Sequence, residues 1–492
     1  MAFWLLLLLG LVSYLMVQRS VAGVTRTPVW ILWLVLMTPV LIWLAWTAKY
    51  GSHQPLPAAL MIGPFVICPV LYWLLIQWGR RGSNLAGAHK GQAPESKPAV
   101  GATPEPLELR PLAQSEETQL RNCFPWSVYY IHKIEYRPQA VICRGQLRTT
   151  PGVAYQKIRE NIEAQFGDRF LVIFQEGLNG KPFFALVPNP QSLRDGQRST
   201  EQLTRPVLAL GLLAATLLTT TVVGLDLVGV NMATLQSNPA VLLSGLSYAL
   251  ALMTILGIHE SGHYLAARFY KIRSTLPYFI PVPFFLGTFG AFIQMRSPVP
   301  DRKALFDVSL AGPLAGFVVT LPVLMWGLVH STVVPLSAKS GMLNPQALNP
   351  HYSLLLALLS KLALGSQLTA TNAIDLHPVA LAGFLGLVVT ALNLMPVGQL
   401  DGGHIVHAMF GLRAAVAIGQ IARLLLLGLS LIQPGLLIWA IILFFMPISD
   451  QPALNDVTEL DNRRDLWGLL ALTLLVLIIL PAPKLITDLL QV

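Results

Sequence analysis

Charge is scarce in this chain. Asp, Glu, Lys and Arg make up 12% of its 492 residues, roughly half the share of an average soluble domain. Hydrophobic residues make up 54%, and mean hydropathy is +0.60. These values exclude an ordinary soluble domain. Cysteine is also scarce: Cys68, Cys123 and Cys143 are odd in number and form no C-x-x-C pair. Neither a disulfide framework nor a thiolate metal site is expected, and the three read as small apolar thiols. The formal charge of +9 does not point to nucleic acid, because no basic stripe is interleaved with aromatics. Lys and Arg instead flank hydrophobic runs and fill one polar segment, as in loops of membrane proteins. No repeat of fixed period is present. The opening MAFWLLLLLG has neither the basic start of a secretory signal nor the Arg- and Ser-rich look of a transit peptide, so it reads as an uncleaved first span.

What is abundant is apolar sequence in lengths that suit a bilayer. Runs at about 2–17, 29–48 and 57–78 approach the roughly 20 residues a spanning helix needs. Arg80 and Arg81 follow the third, which by the positive-inside bias places the N-terminus outside and the next segment in the cytoplasm. Residues at about 82–115, rich in Gly, Ala, Pro and Ser, read as a linker. A small folded unit follows. Thr150 and Pro151 open a helix, Ala154, Ile158, Ile162 and Phe166 recur every four residues, and Gly167 stops it. Strands are expected near 140–143, 170–174 and 182–187, the last two joined by the turn signal Asn179-Gly180. Apolar runs then return at about 206–225, 239–267, 305–329, 378–396, 416–447 and 467–481, the fifth interrupted by Gln433-Pro434-Gly435. A short run at about 352–364 reads as interfacial.

The expected fold is a polytopic α-helical membrane protein of about 8–10 spans with a small cytoplasmic α/β domain. Its parts are an N-terminal three-span region 1–80, a linker 81–119, the cytoplasmic domain 120–200, a catalytic membrane core 205–412 and C-terminal spans 413–492.

The chemistry lies on the run at about 239–267, which contains His259-Glu260-Ser261-Gly262-His263. Helical residues four apart share a face, so both imidazoles can reach one zinc ion. Glu260 is turned about 100° away, which suits a general base better than a ligand. Ionisable groups inside a span are costly and mark function. A catalytic zinc needs a third protein ligand, and the best candidate is Asp401 in Asn393-Leu394-Met395-Pro396-Val397-Gly398-Gln399-Leu400-Asp401-Gly402-Gly403. The bland alternative is an ordinary charge at a helix end. Counting spans brings Asp401 to the same membrane face as His259. His404 and His407 read as loop histidines beyond the turn.

These residues resemble the site-2 protease family of intramembrane zinc metalloproteases. The likeness rests on His259-Glu260-Ser261-Gly262-His263, on Gly312-Pro313-Leu314-Ala315-Gly316, and on Asn393…Pro396…Leu400-Asp401-Gly402. It implies one Zn2+ held by His259, His263 and Asp401, with Glu260 activating water. A weaker likeness to the EGY-like branch of cyanobacteria and plastids rests on Arg144-Gly145, Ala154-Tyr155, Phe166-Gly167-Asp168-Arg169 and Gly180-Lys181-Pro182, and on the absence of a recognisable PDZ insert. Some members of that branch have lost the metal motif, which this chain retains. The resemblance implies hydrolysis of peptide bonds in or near transmembrane segments of membrane-protein substrates, within the lipid bilayer. The competing readings are a non-catalytic zinc-binding scaffold or chaperone, and a transporter. Against the transporter, the three functional residues cluster at one face rather than along a path. Asn393 is a candidate substrate-binding residue, as are Phe289 and Gly290 in the strand-like stretch 288–293, whose edge could pair with an extended substrate. With no transit-peptide pattern, the expected location is a bacterial, in particular cyanobacterial, plasma or thylakoid membrane, with 120–200 on the cytoplasmic side.

Overall fold

The structure, a computed structural model, describes residues 27–50, a few positions near them, and most of 116–490, apart chiefly from 190–204 and 231–238. Most of the apolar run at 2–17, most of that at 57–78, the linker at 82–115 and Asn179 lie outside the described residues. The chain forms two compact units, Met1–Glu105 and Pro106–Val492. The first contains helix α1 (Val29–Tyr50), whose one charged side chain is Lys49 at its end.

The second unit begins with a short helix, α2 (Glu116–Asn122), and a four-stranded antiparallel sheet. The strands are β1 (Tyr129–Arg137), β2 (Ala140–Leu147), β3 (Phe170–Glu176) and β4 (Pro182–Pro188), in the order β1-β2-β4-β3. Helix α3 (Pro151–Phe166) lies between β2 and β3 in the chain and closes on Gly167, whose φ of 60° suits glycine. Its apolar positions 154, 158 and 162 are buried, as their spacing predicts. Phe174 of β3 and Phe184 of β4 stack with centroids 4.2 Å apart at the centre of this core. Strand β1 escapes the sequence reading for a physical reason: its register shifts between Ile131 and Lys133. A bulge of this kind breaks the alternation of apolar and polar residues by which a strand is read.

Four helices among the described residues are long and apolar enough to cross a membrane. They are α4 (Pro206–Leu227), α5 (Leu242–Phe269), α6 (Arg302–Val329) and, beyond two shorter helices, the one beginning at Asp401. The shorter pair are α7 (Leu354–Leu364) and α8 (Pro378–Leu394). The helix from Asp401, α9 (Asp401–Ile432), is broken at Gly411, where φ is 81° and ψ is 162°. Then come α10 (Leu437–Phe445), α11 (Asn462–Ile479) and α12 (Lys484–Leu490). The interruption expected at Gln433 falls where α9 ends.

Helix α5 sits centrally, packed against α4, α6 and α8, and α6 in turn packs against α8 and α9. Small residues permit these approaches. A Cβ on Gly262 of α5 would stand 2.4 Å from the Ala311 carbonyl oxygen of α6, so the two helices meet backbone to backbone. Between α5 and α6 the prolines and glycines prevent a continuous helix, and the chain forms an antiparallel hairpin of β5 (Tyr278–Pro281) and β6 (Thr288–Phe292). Loop residues 454–456 run between the sheet and the helices. Phe174 of β3 donates to the Leu454 oxygen at 2.7 Å, and Leu454 donates to the Val299 oxygen at 2.9 Å. The loop thereby fastens the sheet to the start of α6.

Candidate metal centre

Residues 242–258 of α5 carry no charged side chain, yet His259, Glu260 and His263 follow on the same helix and all are buried. Burying three such groups demands partners. His263 is 2.8 Å from the Val308 carbonyl oxygen through Nδ1, so that nitrogen donates and Nε2 keeps its lone pair. Nε2 of His263 is 3.2 Å from Nε2 of His259 and 3.2 Å from Asp401 Oδ2. His259 Nε2 stands 3.7 Å from the same oxygen. Three lone-pair donors thus converge, all within 4.8 Å of one another. A proton can bridge one pair of them, whereas a cation serves all three. A tetrahedral zinc with bonds of about 2.0–2.1 Å holds its ligand atoms roughly 3.3 Å apart. The observed spacings fit that ion.

The backbone explains how Asp401 arrives. Helix α8 ends at Leu394, and Met395 turns the chain out of the helix. The chain then folds back so tightly that a Cβ on Gly402 would lie 2.0 Å from the Leu394 oxygen. A Cβ on Gly403 would lie 2.3 Å from the Gly398 oxygen. The two glycines allow α9 to start against the end of α8, with Asp401 in its first turn, where the helix dipole favours a carboxylate. Helix α6 supplies the opposite wall. A Cβ on Gly312 would stand 2.1 Å from His263 Nε2, and one on Gly316 3.0 Å from His259 Nδ1. The glycine motif therefore does more than pack helices: it makes room for the rings.

Glu260 points elsewhere, beside the backbone of Ile293 just past β6. The Asn393 amide nitrogen is 3.0 Å from His259 Nε2. Phe289 and Gly290 lie on β6, with the Phe289 side chain 69% exposed, and among the described residues no second strand covers the outer edge of β6.

One set of residues went unseen in the sequence. His404 and His407, read there as loop histidines, lie on α9, and His407 is fully buried. Its Nδ1 is 2.7 Å from Asp450 and its Nε2 is 3.0 Å from Asp456. His404 Nδ1 is 2.8 Å from Asp450, and Arg302 Nε is 3.2 Å from Asp456. No spacing motif links positions so far apart. The one available signal was the pair of carboxylates following an apolar run.

Residues 247–429 match the profile described as Peptidase family M50, and residues 118–194 match that of the EGY3 middle domain. Residues 247–429 thus form an M50, or site-2 protease, domain, and the chain is similar to the EGY-like branch of that family. A rice protein (Oryza sativa subsp. indica) described as "Probable zinc metalloprotease EGY2, chloroplastic" is 32% identical over 73% of this chain and 65% of its own length. The Arabidopsis thaliana "Probable zinc metalloprotease EGY1, chloroplastic" is 38% identical over 48% of this chain and 43% of its own. The chain thus spans just under two thirds of the EGY2 relative's length. No solved structure matches. These relatives overturn the bacterial localisation expected for this EGY-like chain. They are chloroplastic proteins of plants and point to a plastid membrane. A compartment is an address read by other molecules, which composition and periodicity do not encode.

Proposed function

We propose that this chain is an intramembrane zinc metallopeptidase that cleaves peptide bonds in or near transmembrane segments of other membrane proteins. The observation that carries the reading is the convergence of His259, His263 and Asp401 from two helices, with Glu260 at the adjoining position of α5. His259 and His263 through Nε2, and Asp401 through its carboxylate, would hold the ion. Zinc, when bound, polarises the scissile carbonyl and makes water nucleophilic near neutral pH.

The rest is done by the chain's own groups. Glu260 takes a proton from the attacking water and passes it to the leaving amine. Asn393 approaches His259 at Nε2, whose single lone pair would go to the ion, so its amide would be left to hydrogen-bond the substrate backbone. The Val308 carbonyl fixes the proton of His263 on Nδ1. A helical substrate hides its carbonyls in hydrogen bonds, so it must unwind before cleavage. The outer edge of β6 gives the unwound segment a strand to pair with, near Glu260. The exposed Phe289 adds an apolar contact. At the finer level the fold is read as about 8–10 spans with the unit 120–200 outside the bilayer.

The test is Glu260→Gln. The variant keeps its zinc but loses cleavage by at least about 10²-fold, and membrane-anchored substrate fragments accumulate. A zinc-loaded variant with unchanged cleavage and no accumulation would sink the peptidase reading in favour of a zinc-binding scaffold.

A further inference from the structure

A cavity of about 660 Å³ opens where the sheet meets the elbow of α9. Four cationic side chains reach its wall: Arg144 on β2, Lys181 before β4, Arg302 at the start of α6 and Arg413 just past the Gly411 break. Glu176 and Asp456 are the carboxylates on the same wall. Asp456 is already engaged by Arg302 and His407. Arg144 has Glu135 at 3.3 Å, a carboxylate it shares with Lys133. Arg413 donates to a neutral group, the Gly177 carbonyl. Lys181 makes no ion pair among the described residues. Positive charge therefore exceeds negative on this wall, and His132 adds a further polar group to it. Two rings supply flat apolar surface: Phe183, with the Arg144 guanidinium 5.2 Å from its centroid, and the half-exposed Phe410.

The volume falls within the range of small-molecule sites. Arginine forks and a lysine recognise phosphate oxygens, and aromatic faces receive an apolar or planar body. We propose that this cavity binds a phosphate ester, and that occupancy is felt at the metal centre. The structural link is short. Arg302 begins α6, which also carries Gly312 and Gly316 against the two histidines. Gly411 ends the helical segment that starts at Asp401. A ligand joining β2, the β3–β4 turn and the elbow ties the sheet to both helices.

The coupling rests on the peptidase reading; the binding does not. Binding is measured by calorimetry on the full chain in detergent with three probes: inorganic phosphate, ATP and dihexanoyl-phosphatidylglycerol. At least one binds saturably, and Arg144→Gln/Lys181→Gln weakens it by at least about tenfold, because charge-assisted bonds to phosphate are lost. Both positions are exposed, so the double variant melts as the wild type does without ligand. Arg148→Gln, an exposed arginine outside the cavity, leaves binding unchanged. Binding of ATP assigns a soluble phosphate ester, and binding of the phosphatidylglycerol alone assigns a lipid headgroup. No saturable binding by any probe, or binding that the double variant leaves intact, overturns the site. Intact binding with a cleavage rate that the ligand does not alter overturns the coupling alone.

Discussion

Gly312→Ala adds one carbon where the structure has no room. The new Cβ would lie 2.1 Å from His263 Nε2 and 2.4 Å from two ring carbons, against an ordinary contact of about 3.5 Å. The ring, or all of α6, must therefore retreat by roughly 1.4 Å to reach that contact. Overpacking of this size costs about 1–3 kcal/mol. If the cost falls on the ligand geometry, zinc affinity drops about 5- to 150-fold. A displacement near 1 Å at a reacting centre alone lowers turnover about 10²-fold. Gly316→Ala is the internal comparison, because its Cβ would meet His259 Nδ1 at 3.0 Å. A shift of a few tenths of an ångström relieves that contact, and the loss stays below about tenfold. Gly211→Ala, with nothing near its Cβ, is neutral or slightly stabilising in its helix. The assay is zinc content by mass spectrometry, titrated against a chelator, alongside cleavage of a transmembrane substrate. Wild-type zinc affinity and cleavage in Gly312→Ala, or a larger loss in Gly316→Ala, would refute the claim that the glycine motif shapes the ligand cradle.

Phe289→Pro removes a main-chain donor from β6 and lowers cleavage at unchanged zinc content; an unaffected rate shows that the edge does not hold substrate. His407→Ala strips both Asp450 and Asp456 of a buried partner, which lowers stability by about 3–5 kcal/mol. Thermal melting in detergent reads this, and a melt within a degree of wild type contradicts the network. In the sheet unit, burial pushes the Cys143 thiol up to about 12, so iodoacetamide at pH 8 spares it until the protein unfolds. The folded thiol keeps its proton while the unfolded one releases it above about pH 8.5. Its contribution to stability is therefore constant below that pH and falls as pH rises beyond it. Native labelling at the rate of an exposed thiol, or no such fall, argues against the burial.

The parts legible in the sequence are those fixed by local rules. Helix α3 is written in Pro151, in the fourfold spacing of its apolar residues and in Gly167. The histidine pair is written in one helical turn. Asp401 was reachable because spans alternate in direction, so counting them fixes which face it meets. Strand β1 was lost because its bulge destroys the alternation on which strand reading depends. The network of His407 with Asp450 and Asp456 was lost for a different reason. Its members lie 43 and 49 positions apart, and what joins them is the fold itself, not a periodicity. Location was misread because a compartment is an address decoded by other molecules.

The buried charges follow one electrostatic logic. A carboxylate at membrane depth is tolerable only if something positive or protic answers it. Asp401 would be answered by the cation that His259 and His263 are placed to share with it. A second acid, Asp450, sits in the loop that follows α10, against His404 and His407, which lie one and two turns further along α9 from Asp401. Burial opposes its charge, yet hydrogen bonds from His404 and His407 hold its carboxyl down at about 2. Asp456 is answered by His407 and by Arg302, the residue that opens α6. The same α6 carries the glycines that seat the ligand rings. Each group that compensates a charge therefore belongs to an element that also positions the metal centre. Stability and ligand geometry depend on the same contacts, so a change that loosens the outer network displaces the ligands too.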